Sequence, residues 1–437
     1  MLFENSSMKK VILFLCLLGS IGAFAQGSFQ EVVHEKANAI EERVIEWRRY
    51  FHENPELSNR EFETAKMVAA HLEGLGMEVQ REVALTGVVG LLRGGKPGKT
   101  VALRADMDAL PVTERVDIPF ASKVRTTFLG TETGVMHACG HDTHVAMLMG
   151  AAEILAEMRE EIPGTVVFIF QPAEEGAPPG EEGGAELMVK EGVLKSPDVD
   201  AVFGIHINSK TPVGEVRFKP GGALAAVNRL VIKVKGKQTH GSTPWTGVDP
   251  VTVSAQIILG LQTIVSRQTE LTKEAAVISI GKISGGVRSN IIPEEVEMIG
   301  TIRTLDPEMQ REIHERIHRT VTNIAEASGA TAEVTIEKGY PVTYNDPDLT
   351  QMMGKTMQAV AGVDNVVLTR ARTGAEDFSF YAKEVPGLFV FLGGMPADQS
   401  PTEAAPHHTP DFYIDESGLQ LGVELYTNFA LDYLEMN

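Results

Sequence analysis

The chain has 437 residues, and its 59 Asp and Glu against 39 Lys and Arg give it a formal net charge of −20 at neutral pH. At roughly 150 residues per domain this length predicts two or three domains, and the 43% of hydrophobic residues excludes a mainly disordered chain. The acidic excess, with no basic stripe to offset it, excludes a general nucleic-acid binder because it repels phosphate.

The first 25 residues have the order of a signal peptide. A basic pair precedes an apolar run over 11–24, and the small residues Ala23 and Ala25 are typical of a cleavage site. The run is shorter than the roughly 20 residues that a membrane-spanning helix needs. We therefore predict a mature chain that begins at Gln26, contains no membrane span and is exported to the periplasm or secreted.

The next two hundred residues alternate short apolar runs with helical patterns. Helices are predicted at 30–50, 60–75 and 143–159, and strands at 87–92, 100–104, 165–170 and 201–207. This alternation favours a mostly parallel sheet covered by helices, in which polar functional groups gather at the carboxyl ends of the strands. Three of the strands lead into polar residues, namely Asp106 with Asp108, Glu174 with Glu175, and His206.

Residues 225–337 have a different order of elements. Strand, helix, two strands, helix and strand are predicted at 229–235, 251–267, 276–283, 295–303, 307–327 and 332–337. This β-α-β-β-α-β order is that of the split ferredoxin-like unit. The predicted fold class is therefore α/β, with a catalytic domain over 26–224 and 338–437 that is interrupted by an inserted domain over 225–337.

The densest group of chemically active side chains lies at 137–144, where one thiol, three imidazoles and a carboxylate occur within eight residues. Thiolate and neutral imidazole are ligands that zinc and its transition-metal neighbours prefer. A capped helix start with surface histidines is the alternative interpretation of this segment. Cys139 is the one cysteine that remains after removal of the signal peptide, so it cannot form an internal disulfide.

Further candidate ligands follow other strands. Glu174 and Glu175 are adjacent and so point to different sides of the backbone, which would let one bind metal while the other acts as a base. Five side chains together would suffice for two divalent ions if one of them bridges: Cys139, His141, Glu175, His206 and His408. Zinc, manganese, cobalt and nickel are all compatible with these sulfur, nitrogen and oxygen ligands.

The segment 314–318 matches the zinc-protease pattern His-Glu-x-x-His on a predicted helix. The apolar stripe of that helix is Ile313, Ile317, Val321 and Ile324, and both histidines lie beside it among charged residues. We expect a solvated helix face here and no metal site.

Six motifs occur in order between about residue 40 and the C terminus, at 49–57, 103–111, 136–142, 170–176, 373–378 and 408–410. In these motifs the chain resembles the two-metal aminoacylase and carboxypeptidase family. The similar branch contains hippurate hydrolases and indoleacetyl-amino-acid (auxin-conjugate) hydrolases. The resemblance implies a metallopeptidase-like catalytic domain with an inserted lid domain.

The resemblance also implies a role for individual residues. Cys139 would bridge the two metal ions, and the remaining ligands would divide into His141 with His206 and Glu175 with His408. Glu174 would be the general base, and Asp108 would orient a ligand.

Three residues of the inserted domain acquire implied roles in the same way. His240 resembles the histidine that family homodimers lend to the neighbouring active site, where it stabilises the oxyanion. Asn290, with Arg288 beside it, is a candidate for binding the substrate carboxylate. Trp245 departs from the pattern, since many relatives carry a histidine at that position.

The sequence as a whole predicts a metal-dependent amidohydrolase that cleaves the amide bond of N-acyl amino acids. A metal-activated water would attack the carbonyl, with Glu174 as the general base. Two alternatives stay open: a dipeptidase or carboxypeptidase with the same two-metal centre, and a non-catalytic periplasmic binding protein. The predicted partners are a small-molecule substrate and a second copy of the chain, bound through the lid.

Overall fold

The structure, a computed structural model, describes residues 6–436, with side chains described from residue 29 onward. The chain divides into two compact units. The first contains the chain up to residue 218, 348–368 and the chain from residue 388, and the second contains 219–347 and 369–387. Of the predicted signal peptide, residues 1–5 and all side chains lie outside the described part.

Nine α-helices are present among the described residues. They are α1 (Ser6–Glu53), α2 (Phe62–Gly74), α3 (His141–Glu157), α4 (Gly184–Lys190), α5 (Pro250–Thr263), α6 (Pro307–Ala327), α7 (Pro347–Ala361), α8 (Ser379–Glu384) and α9 (Leu419–Glu435). In this part of the chain, no helix has both the length and the apolar character that crossing a bilayer requires.

The first eight strands in chain order are β1 (Glu78–Val83), β2 (Gly87–Arg93), β3 (Lys96–Asp106), β4 (Arg125–Phe128), β5 (Thr131–Gly134), β6 (Pro163–Gln171), β7 (Ala201–Pro212) and β8 (Val216–Phe218). The later strands are β9 (Gly221–Leu224), β10 (Ala226–Lys235), β11 (Thr239–His240), β12 (Ala276–Gly285), β13 (Ile291–Ile292), β14 (Glu295–Thr304), β15 (Thr331–Lys338), β16 (Thr343–Asn345), β17 (Val366–Leu368) and β18 (Gly387–Met395).

The first unit is built on an eight-stranded sheet in the order β1-β2-β6-β3-β7-β18-β8-β17. Its centre is parallel, because β3 pairs in parallel with both β6 and β7. Asp106 at the end of β3 is level with Gln171 at the end of β6, and Arg104 is level with Gly204 of β7. The segments that follow these residues therefore meet at one edge of the sheet. The predicted α/β class with a parallel central sheet is confirmed.

Antiparallel pairs flank this centre, since β1 pairs with β2, β2 with β6, and β18 with β8 in that direction. The sequence pattern missed β1 because most of its side chains are exposed, which leaves no apolar alternation to detect. It also ended β7 too early. His206 lies within β7 and not at its end, because Asn208 and Ser209 continue the strand with their polar side chains hydrogen-bonded.

Helix α9 covers the sheet beneath this edge. The Phe203 ring of β7 stacks on Phe429 with 5.0 Å between ring centroids. The Tyr426 hydroxyl donates to the Arg104 carbonyl at 2.7 Å and accepts from the Ile205 N–H at 3.2 Å. One buried hydroxyl thus pairs backbone groups of β3 and β7 at the level where the two strands stop pairing with each other.

The second unit contains a four-stranded antiparallel sheet in the order β12-β14-β10-β15, packed against α5 and α6. In chain order these elements are β10-α5-β12-β14-α6-β15, which confirms the predicted ferredoxin-like order. The elements extend from Ala226 to Lys338. As domain limits, the bounds 26–224, 225–337 and 338–437 stay predictions.

Helix α6 has the apolar stripe predicted for it, with Ile313, Ile317 and Val321 fully buried. His314 lies beside the stripe, with its Nε2 3.1 Å from the Asn228 Oδ1 of β10, and His318 is exposed. The two histidines therefore have the structural environment expected of a helix face and not that of a zinc site.

Candidate metal centre

The loop that carries Cys139 lies close against strand β7. Gly140 follows Cys139 with a φ of +92°, a conformation that residues with a Cβ rarely adopt. A Cβ at this position would lie 2.3 Å from Ile207 Cγ2, next to His206. Glycine therefore allows the thiol loop and the histidine of β7 to approach each other before α3 begins at His141.

The five predicted ligands lie together in the first unit. Donor atoms of Cys139, His141 and His206 lie within 4.8 Å of one another, as do those of Cys139, Glu175 and His408. The Cys139 Sγ is 3.5 Å from His206 Nε2, and His408 Nε2 is 3.0 Å from Glu175 Oε1. Two groups of three donors that share one thiol form the arrangement that a bridged pair of cations needs.

Hydrogen bonds orient two of the histidines for metal binding. His206 Nδ1 is 2.6 Å from the Ile207 carbonyl oxygen, and His141 Nδ1 is 2.8 Å from the Asp108 carbonyl oxygen. Because a carbonyl only accepts, each Nδ1 carries a proton, and in the neutral imidazole each Nε2 then has a lone pair to offer. Within the described residues, the buried His141 Nε2 has no hydrogen-bond partner. A divalent cation would satisfy this atom, so the residues fit a metal ion.

The electrostatics of the site point the same way. Burial alone would lower the pKa of His141, but the Asp106 and Asp108 carboxylates beside it raise that pKa to about 10. Burial, together with Glu175 and Glu174, raises the pKa of the Cys139 thiol. Nearby negative charge contributes to both shifts, and a bound cation would offset that charge while favouring thiolate and neutral imidazole.

Three successive backbone N–H groups fix the turn that carries Glu174. The Ala173 N–H donates to Glu61 Oε1 at 2.9 Å, and the next two donate to Asp108 carboxylate oxygens at 3.1 and 3.0 Å. Ala173 has a φ of +51°, which is unfavourable for a residue with a Cβ. Two buried carboxylates from other elements thus hold a strained turn in place. Asp108 Oδ1 is also 3.2 Å from His141 Nδ1, a contact that suits its predicted role of orienting a ligand.

Glu61, just before α2, is the functional residue that sequence reasoning missed most completely. It is fully buried and accepts from the Thr86 hydroxyl at 2.5 Å as well as from Ala173. Burial, and then the charge of Asp108, raise the pKa of Glu61 to about 8. A single glutamate at a helix start has no signal that distinguishes it from an ordinary surface residue.

Two further histidines support the ligands. His407 Nε2 accepts from the Ser209 N–H at 3.2 Å, so its Nδ1 carries the proton and donates to the Cys139 carbonyl at 3.2 Å. His144 Nε2 accepts from the Ile207 N–H at 2.8 Å, and its Nδ1 is 2.5 Å from Asp106 Oδ1. Burial lowers the pKa of His407 to about 3, which keeps the ring neutral. His144 follows the motif 136–142 and His407 precedes the motif 408–410, and nothing in the sequence distinguishes such supporting histidines from ligands.

A buried ionic network anchors the start of α3 and explains part of the motif at 49–57. Asp142 Oδ2 lies 2.9 Å from Arg48 Nε and 2.8 Å from His52 Nδ1. His52 Nε2 lies 3.1 Å from Glu114 Oε1. Burial and Arg48 lower the pKa of His52, but its hydrogen bonds to the two carboxylates outweigh them and raise it.

The remaining predicted site residues lie in the second unit. His240 is paired in register with Ile291, and the Gly241 N–H donates to the Asn290 carbonyl at 2.8 Å, so His240 and Asn290 are neighbours. The side chains of His240, Arg288 and Asn290 are exposed. Their roles in oxyanion and carboxylate binding stay predictions, as do the roles of the residues in the first unit.

Comparison with known proteins identifies the family. The family described as Peptidase family M20/M25/M40 matches residues 102–432, which is well over half of the chain. The chain belongs to this family. The resemblance inferred from the six motifs is thereby confirmed, and the chain is a hydrolase that acts on amide bonds, not a solute-binding protein.

Two curated relatives align over nearly the whole chain. Thermostable carboxypeptidase 2 of Saccharolobus solfataricus is 43% identical over 405 residues, which are 92% of this chain and 98% of the relative. IAA-amino acid hydrolase ILR1-like 4 of Arabidopsis thaliana is 38% identical over 403 residues, which are 91% of this chain and 87% of the relative. The family match therefore includes both peptidases and hydrolases of amino-acid conjugates.

A solved structure agrees with the fold. The YXEP protein of Bacillus subtilis, described as a dinuclear metal binding peptidase from the M20 family, superposes with a TM-score of 0.76. It is 35% identical, and the match covers 92% of this chain and 100% of that protein.

The hydrogen bond from the Ala173 N–H to Glu61 predicts how substitutions of Glu61 affect stability and turnover. Glu61→Ala leaves the buried Ala173 N–H without its acceptor, which costs about 1–3 kcal/mol, and should lower both the thermal midpoint and kcat for amide hydrolysis. Glu61→Gln keeps an acceptor in a neutral side chain and should restore both. Thermal unfolding and steady-state kinetics of the two variants test this. Equal loss in both variants would show that the hydrogen bond to Ala173 does not position the turn.

Proposed function

We propose that this protein is a two-metal amidohydrolase that cleaves the amide bond of N-acyl amino acids. The observation that carries the proposal is the pair of donor groups that share Cys139, with the Glu174 carboxylate beside them. Glu174 Oε2 is 3.8 Å from His141 Nε2, and Glu174 is absent from both groups that contain Cys139. The Glu174 carboxylate also lies within 4.8 Å of donor atoms of His141 and Glu175, close enough to act on protons beside the ions that the five other side chains would hold.

Cys139, His141 and His206 would hold one divalent cation, and Cys139, Glu175 and His408 the other. When bound, such ions polarise a carbonyl oxygen and lower the pKa of a water molecule. Zinc, manganese, cobalt and nickel all suit this set of sulfur, nitrogen and oxygen donors.

Glu174 would accept a proton from the attacking water and pass it to the nitrogen of the leaving amino acid as the C–N bond breaks. The main-chain N–H of Glu174 donates to Asp108, which fixes the backbone of Glu174. The Glu174 carboxylate therefore extends from a fixed backbone position toward the water and the leaving nitrogen. We propose that His240 stabilises the oxyanion and that Asn290 and Arg288 bind the free carboxylate of the amino acid.

A dipeptidase or carboxypeptidase activity is the second candidate, and the name of the Saccharolobus solfataricus relative favours it. The IAA-amino acid hydrolase favours the first, because its substrate is named as a conjugate of an amino acid. The two candidates use the same metal centre and differ in whether the nitrogen substituent of the substrate is an acyl group or carries a free amine.

Replacing the proposed base should separate chemistry from metal binding. Glu174→Gln removes the proton acceptor but none of the five proposed ligands, so kcat should fall by about 10²–10⁴ while the metal content is retained. Steady-state kinetics and elemental analysis of the same sample measure the two quantities. Glu186→Gln, at a half-exposed carboxylate on α4, is the matched control. Normal turnover in Glu174→Gln would contradict the proposed mechanism.

A substrate comparison tests the choice between the two functions. Metal-stripped protein, reloaded with each of the four metals in turn, should hydrolyse hippurate and N-acetyl amino acids with a higher kcat/KM than dipeptides that have a free amine. Product amino acid can be quantified by chromatography. A preference for the dipeptides would favour the peptidase instead.

We also propose that the protein is exported and forms a homodimer through the second unit. The edge strand β12 exposes Val277 and Ile283, and α5 exposes Leu259, with 38, 52 and 69% of each residue accessible. Exposed apolar groups next to an open strand edge are typical of a surface that pairs with another chain.

Native mass spectrometry of the protein recovered from the periplasm or medium tests both points. The expected subunit begins at Gln26, and the expected assembly has twice its mass. A full-length subunit would contradict export with cleavage, and a monomer at micromolar concentration would contradict the dimer.

A further inference from the structure

A cavity of about 340 Å³ opens in the first unit beside the metal centre. Glu175, a proposed ligand, forms part of its wall, and so does Ser58, whose hydroxyl donates to Asp108 at 2.7 Å. The volume is at the lower end of the range for small-molecule sites, which suits one part of a substrate and not an extended peptide.

Apolar side chains supply most of this wall, including Leu57, Leu110, Pro111, Phe128, Leu129 and Pro178. Leu129, at the tip of the β4–β5 hairpin, is 70% exposed although it is apolar. Covering apolar side chains that are exposed to solvent releases free energy, and an apolar ligand group does this without leaving a polar group unpaired.

The charged groups of the cavity argue against a carboxylate as its occupant. Arg60 is the one cationic side chain in the lining. Its two terminal guanidinium nitrogens, Nη1 and Nη2, donate to the two carboxylate oxygens of Glu181 at 3.0 and 2.6 Å. The charge of Glu175 would be offset by the cation that it is proposed to hold. The lining therefore offers a substrate carboxylate no cationic side chain that is not already paired, whereas an uncharged group needs none.

The hairpin that carries Phe128 is held in place independently of any ligand. The Gly134 N–H donates to Thr113 Oγ1 at 2.9 Å, and the Thr133 hydroxyl donates to the Pro111 carbonyl at 3.0 Å. These bonds join β5 to the segment that contains Pro111, which is also part of the lining. The cavity is consequently preformed, which reduces the entropy lost when a ligand group enters.

The geometry points to this cavity as the acyl-group subsite, with the hairpin at 125–134 as the element that sets acyl-chain preference. The substrate class is then an amino acid that carries an uncharged, apolar acyl group longer than acetyl. This inference rests on the proposed amidohydrolase function and specifies that the first unit binds the acyl half of the substrate.

The test uses N-acetyl, N-butyryl and N-hexanoyl derivatives of one amino acid with the metal-loaded enzyme. Each buried methylene should raise kcat/KM by about fourfold until the cavity is filled. Phe128→Ala removes part of the wall, and Leu110→Trp narrows the cavity. Each should lower the hexanoyl-to-acetyl ratio of kcat/KM at least tenfold relative to the wild type. Phe62→Ala, at a residue that is 60% exposed and outside the lining, is the matched control and should leave the ratio unchanged.

The outcomes separate the two proposals. An unchanged acyl ratio in both variants, with hydrolysis intact, overturns the subsite and leaves the amidohydrolase function standing. A second series, N-acetyl derivatives of Ala, Met and Phe, detects an amino-acid side chain as the occupant. If the two cavity variants change the kcat/KM ratios within that second series but not within the acyl series, the subsite is also overturned. Failure of the wild-type enzyme on every N-acyl amino acid overturns the function and the subsite together.

Discussion

Buried negative charge at the carboxyl edge of the central sheet is the constraint around which the first unit is organised. Asp106 and Asp108 are inaccessible to solvent, and Glu174 nearly so. Arg104, 2.6 Å from Asp106, balances only part of this charge, and the raised pKa of His141 reflects the rest. Unpaired charge in a protein interior is strongly destabilising, so this group of carboxylates fits bound cations. Cation binding at this edge would therefore also stabilise the fold of the region.

The same edge stores backbone strain. Ala173 and His408 both have left-handed backbone conformations, and each lies at or next to a residue assigned to the centre. Such conformations cost about 1–3 kcal/mol each and persist where surrounding contacts fix them. Glu61 fixes the first, and the Ala138 carbonyl, which accepts from the His408 N–H at 2.8 Å, fixes the second. The turns that present Glu174 and His408 are thus held by residues that are themselves not ligands.

Adjacent residues of one chemical type have different environments here. His407 is partly buried and bonded to backbone groups through both ring nitrogens, while His408 is half exposed and faces Glu175. Amino-acid type cannot distinguish these two histidines, because the difference depends on which partners the rest of the fold places near each ring. Glu61 illustrates the same point more sharply, since its partners Thr86 and Ala173 are distant in sequence.

By itself, the sequence determined the α/β class, the order of elements in the second unit and the set of candidate metal-binding side chains. These follow from local patterns: apolar runs that end in polar groups, and the coincidence of thiol, imidazole and carboxylate at strand ends. Only the tertiary structure decided the antiparallel edges of the sheet, the hydrogen-bond partners that fix each imidazole tautomer, the role of Glu61 and the cavity beside Glu175. Each of these depends on contacts between segments far apart in the chain, and on burial that alters charge and hydrogen bonding, neither of which is encoded at a single position.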